Sequence, residues 1–407
     1  MFNEITGGVC AAQGFKAGGV HCGVKAGGNP AKNDLALILS DRECTAAGVY
    51  TLNRVKAAPI YVTMDHLEDG VAWGIAANSG NANACCPQSH ENAVLMCQAA
   101  AQATGREETD FVVCSTGVIG QTINIAAIQA GMPAAAAALS AEGSDAAARA
   151  IMTTDTVKKE AAVSFTAGGK EVRIGAIAKG SGMIHPNMGT MLCFITTDCA
   201  ITHGMLENAL REVSAKTFNR VTVDGDTSTN DTCVVLANGM AGNPLIEWMD
   251  EDYDAFRQAL HHLCRQLARA IAGDGEGASR LVTCKVSSAR SEESAERLAK
   301  AVVGSALVKA AMFGADANWG RVLCAMGYSK APFRPEHVDV AFSSAAGSVL
   351  VCRQGEGLDF DEGLAKQVLT EKEVVIAVNL HEGEDCAECW GCDLTYDYVK
   401  INGDYRT

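Results

Sequence analysis

Short runs rich in β-branched residues alternate along this chain with longer runs whose apolar residues recur at helical spacing, which confines it to a mixed α and β architecture. Leu35–Leu39, Gly74–Ala77, Phe111–Cys114, Val172–Ala178, Met191–Thr196, Cys233–Ala237, Val338–Phe342, Val349–Cys352 and Val374–Val378 read as strands. Glu91–Ala103, Ile125–Ala150, Met205–Thr217, Asp254–Ile271, Ser294–Met312 and Leu364–Leu369 read as helices. Phe256, Leu260, Leu263, Leu267 and Ile271 fall on one helical stripe, so that helix must bury one face. The helices fall between pairs of strands more than after every strand. This predicts layered α/β/β/α packing over a doubly wound sheet. No linker, repeat or low-complexity stretch divides the 407 residues, so one large unit or two closely packed lobes is expected.

A formal net charge of −15 sets a repulsive background against nucleic acid and anionic membrane surfaces, leaving small molecules as the expected partners. The first residues, MFNEITGGVCAAQGF, resemble neither a secretory signal nor a transit peptide, so a cytoplasmic location is expected. No apolar run approaches the roughly 20 residues that span a bilayer. The 17 cysteines read as reduced thiols. Cys114, Cys193, Cys233, Cys284, Cys324 and Cys352 lie in or beside apolar runs, where a thiol behaves as a small hydrophobe.

The segment KGSGMIHPNMGTML, from Lys179 to Leu192, carries the most chemical information. Gly189 has no Cβ, so its peptide bond with Thr190 can be held in a conformation other residues resist. Attack of the Thr190 hydroxyl on the Gly189 carbonyl would convert amide to ester, and water would then release a chain beginning at Thr190. An α-amine has an ordinary pKa of about 7.7–8.0, so a freed Thr190 would carry both nucleophile and base. Read alone, Gly-Thr before a strand is usually only a turn.

KGSGMIHPNMGTML resembles the cleavage segment of the ornithine acetyltransferase family, the bifunctional glutamate N-acetyltransferases, with Gly189 where Ala is common. GFKAGGVHCGVK (14–25), NSGNANAC (78–85), STGVIG (115–120), MTTDT (152–156), VTVDGDTSTNDT (221–232), DGEGA (274–278), FGADANWGR (313–321) and YVKINGDYRT (398–407) are similar to family segments in the same order. The resemblance implies a layered α/β/β/α sandwich of the self-cleaving aminopeptidase type. It also implies cleavage into an α fragment, 1–189, and a β fragment, 190–407, that pair as a heterotetramer of two of each. Acetyl would move from N-acetylornithine to glutamate through acetyl-Thr190, with acetyl-CoA as a second donor in bifunctional members and no cofactor.

By the same resemblance Thr116 and Gly117 form the oxyanion hole, where donors must await the charge that develops in acyl transfer. Lys179 pairs with a substrate carboxylate, Glu276 with a substrate ammonium, and Thr153, Asn402 and Thr407 add hydrogen bonds. A solvated lysine and an ordinary turn are the plain alternatives for Lys179 and STGVIG.

Other motifs point elsewhere. DGEGA alternates glycines like an anion cradle, but it lacks the Lys-Ser/Thr ending of a P-loop and follows a helix. His185 beside Pro186 could be a general base, which a free Thr190 amine makes dispensable. Cys386, Cys389 and Cys392, with His381 nearby, could open a zinc or iron-sulfur site if a fourth ligand existed. The rival functions are a self-cleaving hydrolase of the same fold and a metal-binding protein built on that cysteine cluster.

Overall fold

The structure, a computed structural model, describes residues 2–25, 27–185 and 191–404. Thr190, Gly189 and Thr407 lie outside the described residues.

The first part of the chain runs β1 (Phe2–Ile5), β2 (Phe15–Val20), β3 (Leu35–Tyr50), α1 (Ala58–His66), β4 (Val71–Asn78), α2 (Ser89–Thr104), β5 (Phe111–Ser115), α3 (Ile125–Ala137) and α4 (Ser144–Ala150). It continues through β6 (Lys159–Ala167), β7 (Lys170–Lys179), β8 (Leu192–Thr197), α5 (His203–Lys216), β9 (Thr232–Ala237) and α6 (Glu251–Gly273). These strands form a nine-stranded sheet ordered β1-β6-β7-β8-β9-β3-β4-β5, with β2 also paired to β3.

The long strand β3 turns this sheet into two layers. Its first half pairs with β2 and β4, its second half with β9, and its pairing with β4 is broken between Leu39 and Cys44. One apolar core is shared by residues of β2 to β5 (Phe15, Ile38, Ile75, Val112) and of β7 to β9 (Ile177, Phe194, Val234). Alternate residues of β8 and β9, Cys193, Ile195, Cys233 and Val235, face the other way, onto α5 and α6. On the far side α2 and α3 cover Leu35, Leu37, Phe111 and Val113. Helices, sheet, sheet and helices are thus stacked, the α/β/β/α layering expected from the alternation of elements.

Helix α6 follows its sequence closely. The Asp250 carboxylate accepts from Tyr253 N at 2.9 Å, and Glu251, Asp252 and Asp254 complement the helix dipole in the first turn. Phe256, Leu260, Leu263, Leu267 and Ile271 are all buried, each stabilising the layer by about 1.5–3 kcal/mol.

The rest of the chain is β10 (Leu281–Ala289), α7 (Glu292–Gly304), α8 (Ala306–Phe313), α9 (Trp319–Gly327), β11 (Asp339–Ser344), β12 (Gly347–Arg353), β13 (Glu356–Gly357), α10 (Glu362–Thr370), β14 (Glu373–Asn379), β15 (Asp385–Cys392) and α11 (Tyr396–Asp404). Its strands make a six-stranded sheet, β13-β12-β11-β14-β10-β15, with its own core under α7 to α10. The two sheets are not independent modules. Trp390 and Cys392 of β15 join the core beneath α6, while Ala387 and Cys389 of the same strand join the second core.

Three expectations are corrected. The run Ile125–Ala150 is two helices, because Ser140 pairs with Ala17 of β2 and Gly143 packs so closely on the Ala17 carbonyl that a Cβ would lie 1.7 Å from its oxygen. Ser294–Met312 is likewise broken at Ser305, whose side chain caps α8 by accepting from Val308 N. Cys324 is exposed, since α9 turns Val322, Ala325 and Met326 inward instead.

The CxxCxxC motif lies on β15, where residues three apart point to opposite faces. Cys389 donates to Glu296 O at 3.6 Å, Cys392 lies 3.4 Å from Lys309 Nζ on the other side, and Cys386 is exposed. His381 is engaged with Asp339 Oδ2 at 2.9 Å. The four side chains do not converge, and no three His, Cys, Asp or Glu among the described residues group as metal ligands.

Candidate active site

Strand and helix ends deliver the site. β5 ends at Ser115 and hands on Thr116 and Gly117, β7 ends at Lys179, and α6 ends just before Asp274 and Glu276. Thr116, Gly117, Thr153, Lys179, Glu276 and Asn402 all line one cavity of about 130 Å³. Every described residue that the sequence singled out for catalysis or substrate binding is therefore brought together.

Lys179 Nζ donates to Thr116 Oγ1 at 3.3 Å, deep in the cavity wall. Burial pushes the Lys179 ammonium below its ordinary pKa, against the pull of the Asp155, Asp231 and Glu276 carboxylates, with Lys159 adding to the depression. Asn402 Nδ2 donates to Glu276 Oε2 at 2.7 Å, so α11 orients the only cavity-lining carboxylate of the predicted set. Glu276 N donates to Ser181 O at 3.1 Å, and a Cβ on Gly182 would lie 2.3 Å from the Glu276 carboxyl carbon. The Gly-Ser-Gly stretch after Lys179 is thus a bed for Glu276. It is held by backbone contact.

Gly117 has φ +135°, and a Cβ there would lie 2.4 Å from the Gly80 carbonyl carbon and 2.5 Å from Asn81 N. No other residue fits this turn. Asn230 ties it to its neighbours, its Nδ2 donating to Ser115 O at 2.8 Å and to Ala82 O at 2.6 Å. Ser115 Oγ donates in turn to Asn78 Oδ1 at 2.6 Å. The segments NSGNANAC, STGVIG and VTVDGDTSTNDT, far apart in sequence, meet in this polar cluster.

Behind the cavity lies an ion cluster that the sequence reading missed. Lys159 Nζ sits 2.7 Å from Asp155 Oδ1 and 2.6 Å from Asp274 Oδ2, with side-chain exposures of 0%, 0% and 7% for the three. Asp155 also accepts from Thr153 N at 3.0 Å and Gly180 N at 2.8 Å, while Asp274 accepts from Thr156 N and Thr156 Oγ1. Burial works to raise the Asp155 carboxyl, but Lys179 and Lys159 overcome it and hold it well below the usual range. Asp155 and Asp274 stand inside the quoted motifs MTTDT and DGEGA, but Lys159 lies in no motif, and nothing in one sequence pairs it across 115 residues. In DGEGA, Glu276 N is spent on Ser181 O and Ala278 N on Gly275 O, which leaves neither of these two donors for an anion.

Asp231 and Asn230 were also missed, and both line a second cavity of about 20 Å³ that shares Thr116 and Lys179 with the first. The His185 ring turns to Thr222 Oγ1 at 2.9 Å and lines neither cavity, and burial lowers its pKa to about 4.

Residues 16–407 match the model of the ArgJ family. The chain is similar to the arginine biosynthesis bifunctional protein ArgJ of Symbiobacterium thermophilum, with 53% identity over 99% of each chain. It is 49% identical, over 97% of each chain, to the protein of the same name from Caldanaerobacter subterraneus subsp. tengcongensis. A crystal structure of arginine biosynthesis bifunctional protein argJ from Bacillus halodurans is 46% identical, covering 52% of this chain and 98% of that one, with a TM-score of 0.49.

Proposed function

This chain belongs to the ArgJ family, and we propose that it moves acetyl from N-acetylornithine to glutamate by a ping-pong reaction through an ester on Thr190. It is an acyltransferase of arginine biosynthesis, the pathway that its relatives' names carry. The observation that carries the reading is the pairing of a buried lysine, Lys179, with a carboxylate, Glu276, on one small cavity. Ornithine and glutamate share an α-amino-acid end and differ by an ammonium or a carboxylate at the other. A cavity with one fixed charge of each sign has a partner for both.

In this reading the precursor is cut between Gly189 and Thr190 into fragments 1–189 and 190–407. The Thr190 oxygen attacks the acetyl carbonyl, with its own α-amine taking the proton. Thr116 Oγ1 and the Gly117 N–H receive the oxyanion. Ornithine departs with the returned proton, and the α-amine of glutamate then takes the acetyl group from Thr190. Thr153, Asn402 and Thr407 hold the amino-acid ends by hydrogen bonds. The chemistry needs no cofactor. Acetyl-CoA enters as a second donor to the same threonine, which the word bifunctional in the relatives' names supports. The two fragments pair in a heterotetramer of two of each, located in the cytoplasm.

A denaturing gel of purified protein tests the nucleophile: two fragments are expected from wild type and one band of 42.4 kDa from Thr190→Ala. A cut Thr190→Ala band would overturn the assignment. Charge reversal in Glu276→Lys is expected to reduce turnover with N-acetylornithine more than glutamate acetylation, and equal losses would remove the division of labour. Acetylglutamate formed from labelled N-acetylornithine or acetyl-CoA, against free acetate, separates transfer from hydrolysis. Sedimentation of the cut protein reads the assembly.

A further inference from the structure

The cavity that gathers Lys179 and Glu276 holds about 130 Å³, less than the roughly 300–1,000 Å³ of sites that enclose a drug-sized ligand. An amino acid is small enough for it. Acetyl-CoA, with a long pantetheine chain, a diphosphate and a phosphorylated nucleoside, must extend beyond it. We propose that a third cavity, of about 170 Å³, takes the phosphate-bearing arm of acetyl-CoA. The inference rests on the reading of acetyl-CoA as second donor and deepens it by giving that donor a place.

Thr153 lines both this cavity and the amino-acid cavity, and Lys32 Nζ donates to Thr153 O at 2.6 Å. Gly80 also lines the third cavity, and Gly117 packs against the Gly80–Asn81 backbone. The third cavity therefore borders the amino-acid cavity at Thr153 and at the turn that carries Gly117. The two larger cavities, of about 940 and 480 Å³, share no lining residue with the amino-acid cavity, so neither borders it in this way. The arginines of the largest, Arg265, Arg269 and Arg280, are each already paired with a carboxylate.

In a chain of formal net charge −15, His21, Lys25 and Lys32 line the third cavity against a single carboxylate, Asp34, among the described residues. Asp34 is engaged by its own loop. Cys22 N donates to its Oδ1 at 2.6 Å, Gly23 N and Val24 N donate to its Oδ2 at 3.0 and 2.9 Å, and His21 Nδ1 lies 3.6 Å from Oδ2. Asp155, whose charge also reaches Lys32, is paired with Lys159 at 2.7 Å. A carbonyl neutralises no charge, so the bond to Thr153 O fixes the Lys32 ammonium at the border and leaves its charge for an anion. A compact ammonium binds phosphate as a point charge, and two of them stand on this cavity.

The test uses purified full-length protein and follows acetylglutamate formed from glutamate with either donor, acetyl-CoA or N-acetylornithine. The double variant Lys25→Glu, Lys32→Glu is expected to raise KM for acetyl-CoA about tenfold or more, the loss that follows from removing a charge-assisted bond to phosphate. Its kcat/KM with N-acetylornithine is expected to stay within about twofold of wild type. S-acetylpantetheine, which offers the same thioester without phosphates, is expected to serve both proteins equally. Lys25→Gln, Lys32→Gln replaces the charge reversal should thermal melts show that it fails to fold, with the same direction expected. An unchanged KM for acetyl-CoA in the folded variant overturns the proposal. So do equal losses with acetyl-CoA and N-acetylornithine, or a loss with S-acetylpantetheine as large as that with acetyl-CoA. Wild type that uses N-acetylornithine but not acetyl-CoA sinks the second-donor reading itself, whereas wild type that uses both, beside variants with wild-type acetyl-CoA kinetics, sinks only the role of this cavity.

Discussion

Replacing Lys159 by methionine probes how the charged cluster behind the cavity supports the site. Its ammonium lies 2.7 Å from Asp155 and 2.6 Å from Asp274, in side chains that water scarcely reaches. Methionine fills similar volume but leaves two buried carboxylates facing each other. Removing one partner from a buried ion pair costs about 3–5 kcal/mol, chiefly the penalty of the charge left behind. At about 2 °C per kcal/mol for a chain of this size, the melting temperature should fall by about 6–10 °C. Differential scanning calorimetry and urea unfolding at neutral pH read the loss. Asp155 also orients Thr153 N and Gly180 N, so kcat/KM should drop at temperatures where the variant is still folded. The triple variant Asp155→Asn, Lys159→Met, Asp274→Asn removes all three charges and should recover part of the stability. A single variant that loses less than about 1 kcal/mol, or a triple variant no more stable than the single, would refute the reasoning. Acid provides a second check. The Asp155 pKa is depressed in the fold, so its contribution is present above the unfolded carboxylate value and is lost as pH falls through the folded one. Wild type should lose this contribution only in strong acid, and Lys159→Met should have less of it to lose.

Gly117→Ala forces a Cβ against the Gly80–Asn81 backbone at positive φ, and it should cut kcat on the order of a hundredfold by displacing the oxyanion donors, measured on folded protein by acetylglutamate release. Asn402→Ala removes the amide that orients Glu276, and KM for N-acetylornithine should rise about tenfold with kcat little changed. The His185 pKa falls from 6.5 in the unfolded chain to about 4 in the fold. The unfolded state therefore binds that proton more tightly, and stability is lost as pH drops from 6.5 toward 4. His185→Gln should flatten that slope in melts across this range while leaving neutral-pH stability nearly unchanged.

The layers of the fold were legible because they rest on periodicity. The stripe from Phe256 to Ile271 can bury only one face, and each run read as a strand lies within or overlaps a strand of the structure. The break after Ala137 was not legible, because it comes with a pairing of Ser140 to Ala17, 123 residues away along the chain, and not with a local signal. The same limit governs the site. Motif resemblance gathered Thr116, Gly117, Thr153, Lys179, Glu276 and Asn402, all of which meet on one cavity. Lys159 and Asp231 were passed over because burial and distant partners place them at the site, properties a lone sequence does not carry. Spacing misled at Cys386, Cys389 and Cys392, since a metal-like interval on a strand sends alternate thiols to opposite sides.

The sheet pairing between β7 and β8, Ile174–Lys179 against Leu192–Thr197, straddles the bond proposed to be cut. β9 also pairs with β3, so the fragment after the cut is stitched to the fragment before it along both edges of the β8–β9 pair. Scission would leave the folded body intact and act on the unfolded state alone, turning one wandering chain into two. Renaturation of the mature protein would then be second order, slowing on dilution, while Thr190→Ala would refold at a rate independent of concentration. Maturation thereby becomes a ratchet: a body assembled once from a single chain, and reassembled from its pieces only by collision.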